Sequence, residues 1–87
     1  MIYQKCNILD ALRNIGYTSY KLQKEGVLSS GSMQNLRDNF NGTAELRISM
    51  SSLNRICLIL GKQPGDLIIE VATDEEKIKY FRMEPPK

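Results

Sequence analysis

Apolar residues recur with a helical period near the start of the chain. Between Ile8 and Ile15 they follow the i, i+1, i+4, i+7 spacing of an amphipathic helix. Asn7 precedes this segment, and with Asp10 three residues on it forms a pattern that resembles a capping box. Gly16 then ends the periodic stretch, so the pattern predicts a first helix over about residues 8–15.

Residues 18–25 predict a second, shorter helix. Thr18 is a residue type that caps helices, and Leu22 is the inward residue of a helix too short to be stable alone in water. Gly26 lies just past the last helical residue, where a left-handed C-cap is expected.

A third helix is predicted after a tight turn at residues 26–28. Ser29 suits its N-cap, and Met33 and Leu36 lie three apart on one face. Two short helices joined by such a turn match a helix-turn-helix, a motif that presents its second helix to the major groove of DNA.

The segment from residue 39 to residue 48 favours a loop. Asn41 and Gly42 mark a turn, because both residue types tolerate positive φ at little cost. Leu46 and Ile48 alternate with charged residues, which allows a short extended piece.

The clearest helix is predicted after Ser49, which suits its N-cap, and it ends at Gly61. Its apolar residues form one stripe that is expected to face a core: Met50, Leu53, Ile56, Cys57 and Leu60. The following residues 63–66 cannot continue this helix, and they predict a turn or a single helical turn with Pro64 at its first position.

Two later segments favour strands. Residues 67–71 form a short run rich in β-branched residues, and residues 77–83 alternate between apolar and charged. We expect these segments to form a β-hairpin, which Ile2 and Tyr3 could join as a third strand, and residues 85–87 to be a frayed tail. The predicted fold is mainly α, with five helices and a C-terminal β-hairpin.

The composition bounds the size and class of the protein. With 87 residues, 41% apolar and 25% charged, the chain suits one soluble domain with one modest core. We expect residues 1–72 to form the main unit and residues 73–87 to extend it. No apolar run approaches the roughly 20 residues of a membrane span, and no signal peptide is expected, so a cytoplasmic location without membrane contact is expected.

The chemistry of the chain argues against an enzyme. It has no histidine, and its two cysteines, Cys6 and Cys57, lack metal-site spacing. We therefore expect no metal and no cofactor, and reduced, buried thiols. No glycine-rich phosphate loop and no nucleophile with a base at useful spacing is present. The formal net charge of +2 neither demands nor excludes a nucleic-acid partner.

The order of these elements resembles the lambda-repressor-like, Cro-type (XRE-like) helix-turn-helix family. The likeness covers about residues 5–72. It depends most on two motifs, the L-x-x-I-C-x-x-L pattern of residues 53–60 and the QPGDL turn of residues 63–67. The chain departs from the family pattern in three places: Gly26 lies one residue earlier than usual, the linker at 39–48 is longer, and residues 73–87 have no counterpart.

The resemblance implies sequence-specific binding of double-stranded DNA by a small bacterial or phage-type transcriptional regulator, expected to be a repressor. Such a protein would be associated with the bacterial nucleoid when bound. The second motif helix, residues 29–38, would then lie in the major groove. The same fold without DNA contact, as a protein-interaction module or an antitoxin-like adaptor, is the alternative.

The resemblance also implies two sets of DNA-contacting residues. The expected base-contacting residues are Ser30, Gly31, Ser32, Gln34 and Asn35. The expected phosphate-contacting residues are Thr18, Lys21, Lys24, Ser29, Arg37 and Arg47. Amide side chains such as Gln34 and Asn35 can pair with adenine in a bidentate manner, although such residues are more often simply solvated. For Arg37, an ion pair with Asp38 or Glu45 is an equal alternative.

Dimerisation is expected because one copy would make few base contacts. An unpaired apolar edge at residues 67–71 invites pairing with its copy. The residues expected to form the homodimer are Leu67, Ile69, Val71, Ile78 and Tyr80.

Overall fold

The computed structural model describes the backbone of residues 1–81 and the side chains up to residue 79. The predicted tail at 85–87 and the end of the predicted strand at 82–83 lie outside the described residues. The elements, in chain order, are β1 (Ile2–Gln4), α1 (Ile8–Asn14), α2 (Ser19–Lys24), α3 (Ser30–Phe40), α4 (Met50–Leu60), α5 (Pro64–Leu67), β2 (Ile68–Glu70) and α6 (Asp74–Phe81).

The predicted N-caps are confirmed. Asn7, Thr18, Ser29 and Ser49 each accept a hydrogen bond from the backbone N–H three residues on. These bonds satisfy amides that have no partner within the helix, which is why the four helices begin at these residues. Pro64 is the first residue of the short α5, as expected.

Gly26 ends α2 in the predicted left-handed conformation, with φ of 70°. The Val27 N–H donates to the Leu22 carbonyl at 2.9 Å, and the Gly26 N–H donates to the Gln23 carbonyl at 3.1 Å. This pair of bonds is a Schellman motif, in which the residue after the glycine packs against the last turn of the helix. Both Leu22 and Val27 are buried, so the turn is anchored in the core.

The core lies between the helices, with contributions from α1 to α5 and the α2–α3 turn. Its buried residues are Ile8, Leu12, Leu22, Val27, Leu28, Met33, Leu36, Ile56 and Leu67. Cys57 packs against this core as expected, whereas Cys6 is exposed. Met50 was expected in the core but is 78% exposed, because it is the first residue of α4 and lies at the edge of the apolar stripe.

The small sheet differs from the predicted hairpin. Strand β2 pairs antiparallel with the N-terminal β1, with Tyr3 opposite Ile69. The N-terminal strand is therefore confirmed, and the predicted pairing of residues 67–71 with 77–83 is wrong. The described part of that second segment belongs to the helix α6.

A capping box explains why α6 is a helix. The Thr73 hydroxyl accepts from the Glu76 N–H at 3.1 Å, and the Glu76 carboxylate accepts from the Thr73 N–H at 2.9 Å. The amine of Met1 donates to the same carboxylate at 2.9 Å. The alternation in residues 77–83 was too short to outweigh this N-terminal signal.

Two buried amides connect β1 to α3, which the sequence did not indicate. Asn39 is 1% exposed. Its oxygen accepts from the backbone and the side chain of Gln4, both at 3.1 Å, and its nitrogen donates to the carbonyls of Ile2 and Ala44. Gln4 also donates to the Leu36 carbonyl at 2.7 Å. These bonds fix the end of α3 against the sheet.

Candidate nucleic-acid interface

The α2–turn–α3 unit packs against the core with one of its faces. Leu28 of the turn and Met33 and Leu36 of α3 are buried in the core, with 1–2% exposure. From α4, the Arg55 guanidinium donates to the Gly26 carbonyl at 2.6 Å. The opposite face of α3 is exposed to solvent. The hydrogen bond from Arg55 was not predicted from the sequence.

The first turns of α3 present small polar groups. Ser30, Gly31 and Gln34 are exposed and Ser32 is half-buried. The hydroxyl of Ser29 accepts from the Ser32 N–H and donates to the Ser32 hydroxyl, each at 3.1 Å. Four of the five predicted base-contacting residues are thus on one accessible turn, and Ser29 itself is occupied as the cap.

Gly31 has no packing reason to be glycine. A Cβ at this position would meet only the Ser29 hydroxyl, at 3.9 Å, which is ordinary contact distance. Its φ is not positive either. A side chain would therefore fit at this position within the protein itself.

Asn35 forms two hydrogen bonds with the loop that follows α3. Its nitrogen donates to the Glu45 carbonyl at 3.0 Å, and its oxygen accepts from the Arg47 N–H at 2.7 Å. Both ends of the amide are therefore engaged by the loop between α3 and α4. Asn35 therefore positions this loop, and its predicted contact with a base stays a prediction.

The loop presents Arg47 beside α3. Leu46 and Ile48 pack against the core, while Arg47 between them is exposed. The predicted alternation is correct, although the segment forms no strand, because its backbone is held by Asn35 instead of by another strand. Asn41 and Gly42 form the predicted turn, with φ of 83° at the glycine.

Cations lie on both motif helices. On α2, the Lys21 ammonium is 4.6 Å from the centre of the Tyr17 ring, and the Lys24 ammonium is 5.6 Å from that of Tyr20. On α3, the Arg37 guanidinium donates to the Gln34 amide oxygen at 3.4 Å. Neither of the ion pairs considered for Arg37 is formed among the described residues.

The residues expected at the dimer interface fall into three groups. Ile69, Val71 and Ile78 are 46%, 50% and 70% exposed. Leu67 is 2% exposed and is part of the core, so its predicted role in a dimer is wrong. The side chain of Tyr80 lies outside the described residues. The prediction that residues 67–71 form an unpaired edge is also wrong in part, because one edge of β2 pairs with β1.

None of the helices in residues 1–81 combines the length and the apolarity that crossing a bilayer requires. No curated protein and no solved structure matched the chain. A family model described as a Cro/C1-type HTH DNA-binding domain matches residues 6–72, which include α1 to α5 and the motif formed by α2 and α3. The chain therefore belongs to the Cro/C1-type helix-turn-helix DNA-binding domain family, and its function is DNA binding in the regulation of transcription.

Proposed function

We propose that this protein binds double-stranded DNA in a sequence-specific manner, with α3 in the major groove, and represses transcription. The observation that supports this most is the exposed first turn of α3. Its polar side chains face solvent, while the opposite face of the helix is buried in the core. A major groove about 12 Å wide admits an α-helix, and polar side chains of its first turns reach the base edges.

The base-contacting set in this proposal is Ser30, Gly31, Ser32 and Gln34. The amide of Gln34 is exposed, and among the described residues it bonds only to side chains of its own helix, donating to the Asp38 carboxylate at 3.0 Å. Such exposed bonds are easily exchanged for bonds to a base, and a bidentate amide–adenine pair contributes about 1–3 kcal/mol of discrimination.

Phosphate contacts in this proposal come from both sides of α3. Thr18 and Ser29 are the N-caps of α2 and α3. Lys21 and Lys24 lie on α2, Arg37 lies on α3, and Arg47 lies on the loop bonded to Asn35. Such contacts position a protein on the duplex without themselves distinguishing sequences.

A homodimer completes the proposal. Ile69 of β2 and Val71, the residue after β2, are two positions apart in extended chain and so lie on the same side of it, and Ile78 of α6 is exposed as well. A second copy would cover these apolar side chains and would double the number of base contacts.

Selection of bound sequences from random duplexes tests the proposal. We expect a palindromic product whose half-sites are separated by about one helical turn, 10–10.5 bp. Absence of any DNA binding at low salt would overturn it and would favour the protein-interaction module. A reporter placed behind the selected site then tests repression, which predicts lower expression when the protein is present.

Two variants on adjacent residues separate the proposed roles within α3. For Gln34→Ala we expect relaxed preference at one base position, worth about 1–3 kcal/mol, with the loop unchanged. For Asn35→Ala we expect loss of protection of the Arg47 amide in hydrogen exchange, because its acceptor at 2.7 Å is removed, and weaker binding to all sequences alike. The reverse pattern would return Asn35 to the base-contacting set.

A further inference from the structure

A cleft of about 260 Å³ opens where α1, the start of α2 and the last turns of α3 meet. Ligand pockets for drug-sized molecules span about 300–1,000 Å³, so this cleft suits a small ion or one charged group of a larger molecule. The lining residues that matter for its chemistry are Asp10, Arg13, Tyr17, Ser19 and Arg37.

The charge of the cleft is positive. The Arg13 guanidinium forms an ion pair with the Asp10 carboxylate, which neutralises one cation. Arg37 has no ion pair among the described residues and bonds only to an amide oxygen. A further cation, the ammonium of Lys21, lies over the ring of Tyr17. An anion is therefore the ligand that the cleft favours.

The cleft also offers hydrogen-bond donors. Tyr17 and Ser19 line it, and neither side-chain hydroxyl has a hydrogen-bond partner within residues 1–79. Guanidinium and hydroxyl groups together are the donors that bind phosphate oxygens, and bonds to an ionised acceptor are stronger than neutral ones. The donors come from α1, α2, α3 and the α1–α2 connection, which suits a group with several oxygens pointing in different directions.

We propose that this cleft binds a phosphate group, held by the guanidinium groups of Arg13 and Arg37 and the hydroxyls of Tyr17 and Ser19. Arg37 lies next to the exposed Gln34 of α3, so the phosphate could belong to the DNA backbone, a version that rests on the proposed function. The same chemistry would accept the phosphate of a small phosphorylated molecule.

A titration of the free protein with inorganic phosphate, followed by amide NMR shifts, tests the site without DNA. We expect saturable shifts at Tyr17, Ser19 and Arg37, and at least tenfold weaker binding in the double variant Arg13→Gln/Arg37→Gln. Asp10→Asn should strengthen binding because it frees the Arg13 guanidinium. The variant Lys77→Gln removes one positive charge on α6, as Arg13→Gln alone does in the cleft, and should bind like the wild type.

DNA binding measured against salt distinguishes the two sources of phosphate. If the cleft holds a backbone phosphate, Arg13→Gln should reduce the slope of log K against log salt concentration by about 0.9. An unchanged slope with saturable phosphate binding assigns the cleft to a small phosphorylated ligand. The proposal is overturned if phosphate does not bind saturably and the salt slope is unchanged, in variants that unfold at the wild-type temperature. A wild-type protein that binds no DNA overturns the proposed function, and the phosphate titration then still decides on the cleft.

Discussion

Individual polar side chains hold the parts of this domain in register. Asn39 ties α3 to β1, Asn35 ties it to the following loop, and Arg55 ties α4 to the α2–α3 turn. A buried amide is tolerated only where its donors and acceptors are all paired. Among the described residues every buried side-chain nitrogen and oxygen has a partner, so these bonds fix positions without leaving a polar group unsatisfied.

Asn39→Ala should be among the most destabilising substitutions in the chain. It removes an amide that is 1% exposed and takes the Asn39 partner from the Gln4 backbone N–H and from the carbonyls of Ile2 and Ala44. We expect a loss of about 3 kcal/mol in the free energy of unfolding, measured with urea. Asn54→Ala is the control, because Asn54 is exposed on α4 and should change stability by no more than about 0.5 kcal/mol. Equal effects would contradict the role given to Asn39.

At the scale of the element, caps decide where helices begin and end. Four helices begin at a side-chain cap that the sequence identified, and α6 begins at one that it did not, the box of Thr73 and Glu76. An N-cap of this kind contributes about 1 kcal/mol. That is enough to select helix over strand in a short exposed segment where little packing favours either.

Two glycine substitutions within the helix-turn-helix should have opposite effects on stability. Gly26 has φ of 70°, so Gly26→Ala should destabilise the fold by about 1 kcal/mol. Gly31 lies in α3 with room for a Cβ, so Gly31→Ala should stabilise by up to about 1 kcal/mol. Thermal unfolding gives the signs. If the proposed groove contact is right, Gly31→Ala should nonetheless weaken DNA binding.

The start of α6 should depend on pH. Hydrogen bonds to Glu76 and Glu70 raise the pKa of the Met1 amine above 8.0, so the stability it contributes is complete below pH 8 and lost as the pH rises through the raised value. The backbone of Thr73, followed by the Met1 amine, lowers the pKa of Glu76 below 4.5. Its contribution is complete above pH 4.5 and lost as the pH falls through the lowered value.

Helicity of α6 should therefore be greatest between about pH 5 and 8. Amide hydrogen exchange or Cα chemical shifts of residues 74–79 measure it. In Glu76→Gln the acid-side dependence should disappear and the helix should be weaker at neutral pH. A wild-type profile that stays flat as the pH falls to 3 would contradict the role of the Glu76 carboxylate, and one that stays flat as the pH rises well above 8 would contradict its coupling to Met1.

At the scale of the whole molecule, the surface divides into regions of different chemistry. The motif helices expose polar and cationic side chains together with Tyr20 and Phe40, while the sheet, the residue after it and α6 expose Ile69, Val71 and Ile78. A formal net charge of only +2 means that attraction to DNA depends on where the cations lie more than on their number.

The double variant Ile69→Lys/Val71→Lys should separate the proposed homodimer. Lysines on this shared side of the extended chain replace apolar contact by like-charge repulsion across a two-fold axis. Light scattering at tens of micromolar should then give the monomer mass, with the wild type giving the dimer mass. Leu58→Lys changes another exposed apolar residue, 73% exposed on α4, and should leave the mass unchanged. If only Leu58→Lys gives the monomer mass, the interface lies on α4 instead.

Much of the candidate site followed from local sequence signals. The caps at Thr18 and Ser29, the glycine at the end of α2 and the spacing of Met33 and Leu36 predicted the helix-turn-helix, because each acts over three or four residues of chain. The same signals could not show that Asn35 is occupied, since its partners at Glu45 and Arg47 are ten and twelve residues away.

The sequence by itself determined the helices α1 to α4, the short turn at Pro64 and the family, because caps, breakers and apolar periodicity are local. Only the tertiary structure decided that β2 pairs with Ile2–Gln4, that Leu67 is buried and that Asn39 and Arg55 join separate elements. Such pairings depend on which segments meet after the chain has folded. Separation along the chain leaves no local pattern that would reveal them.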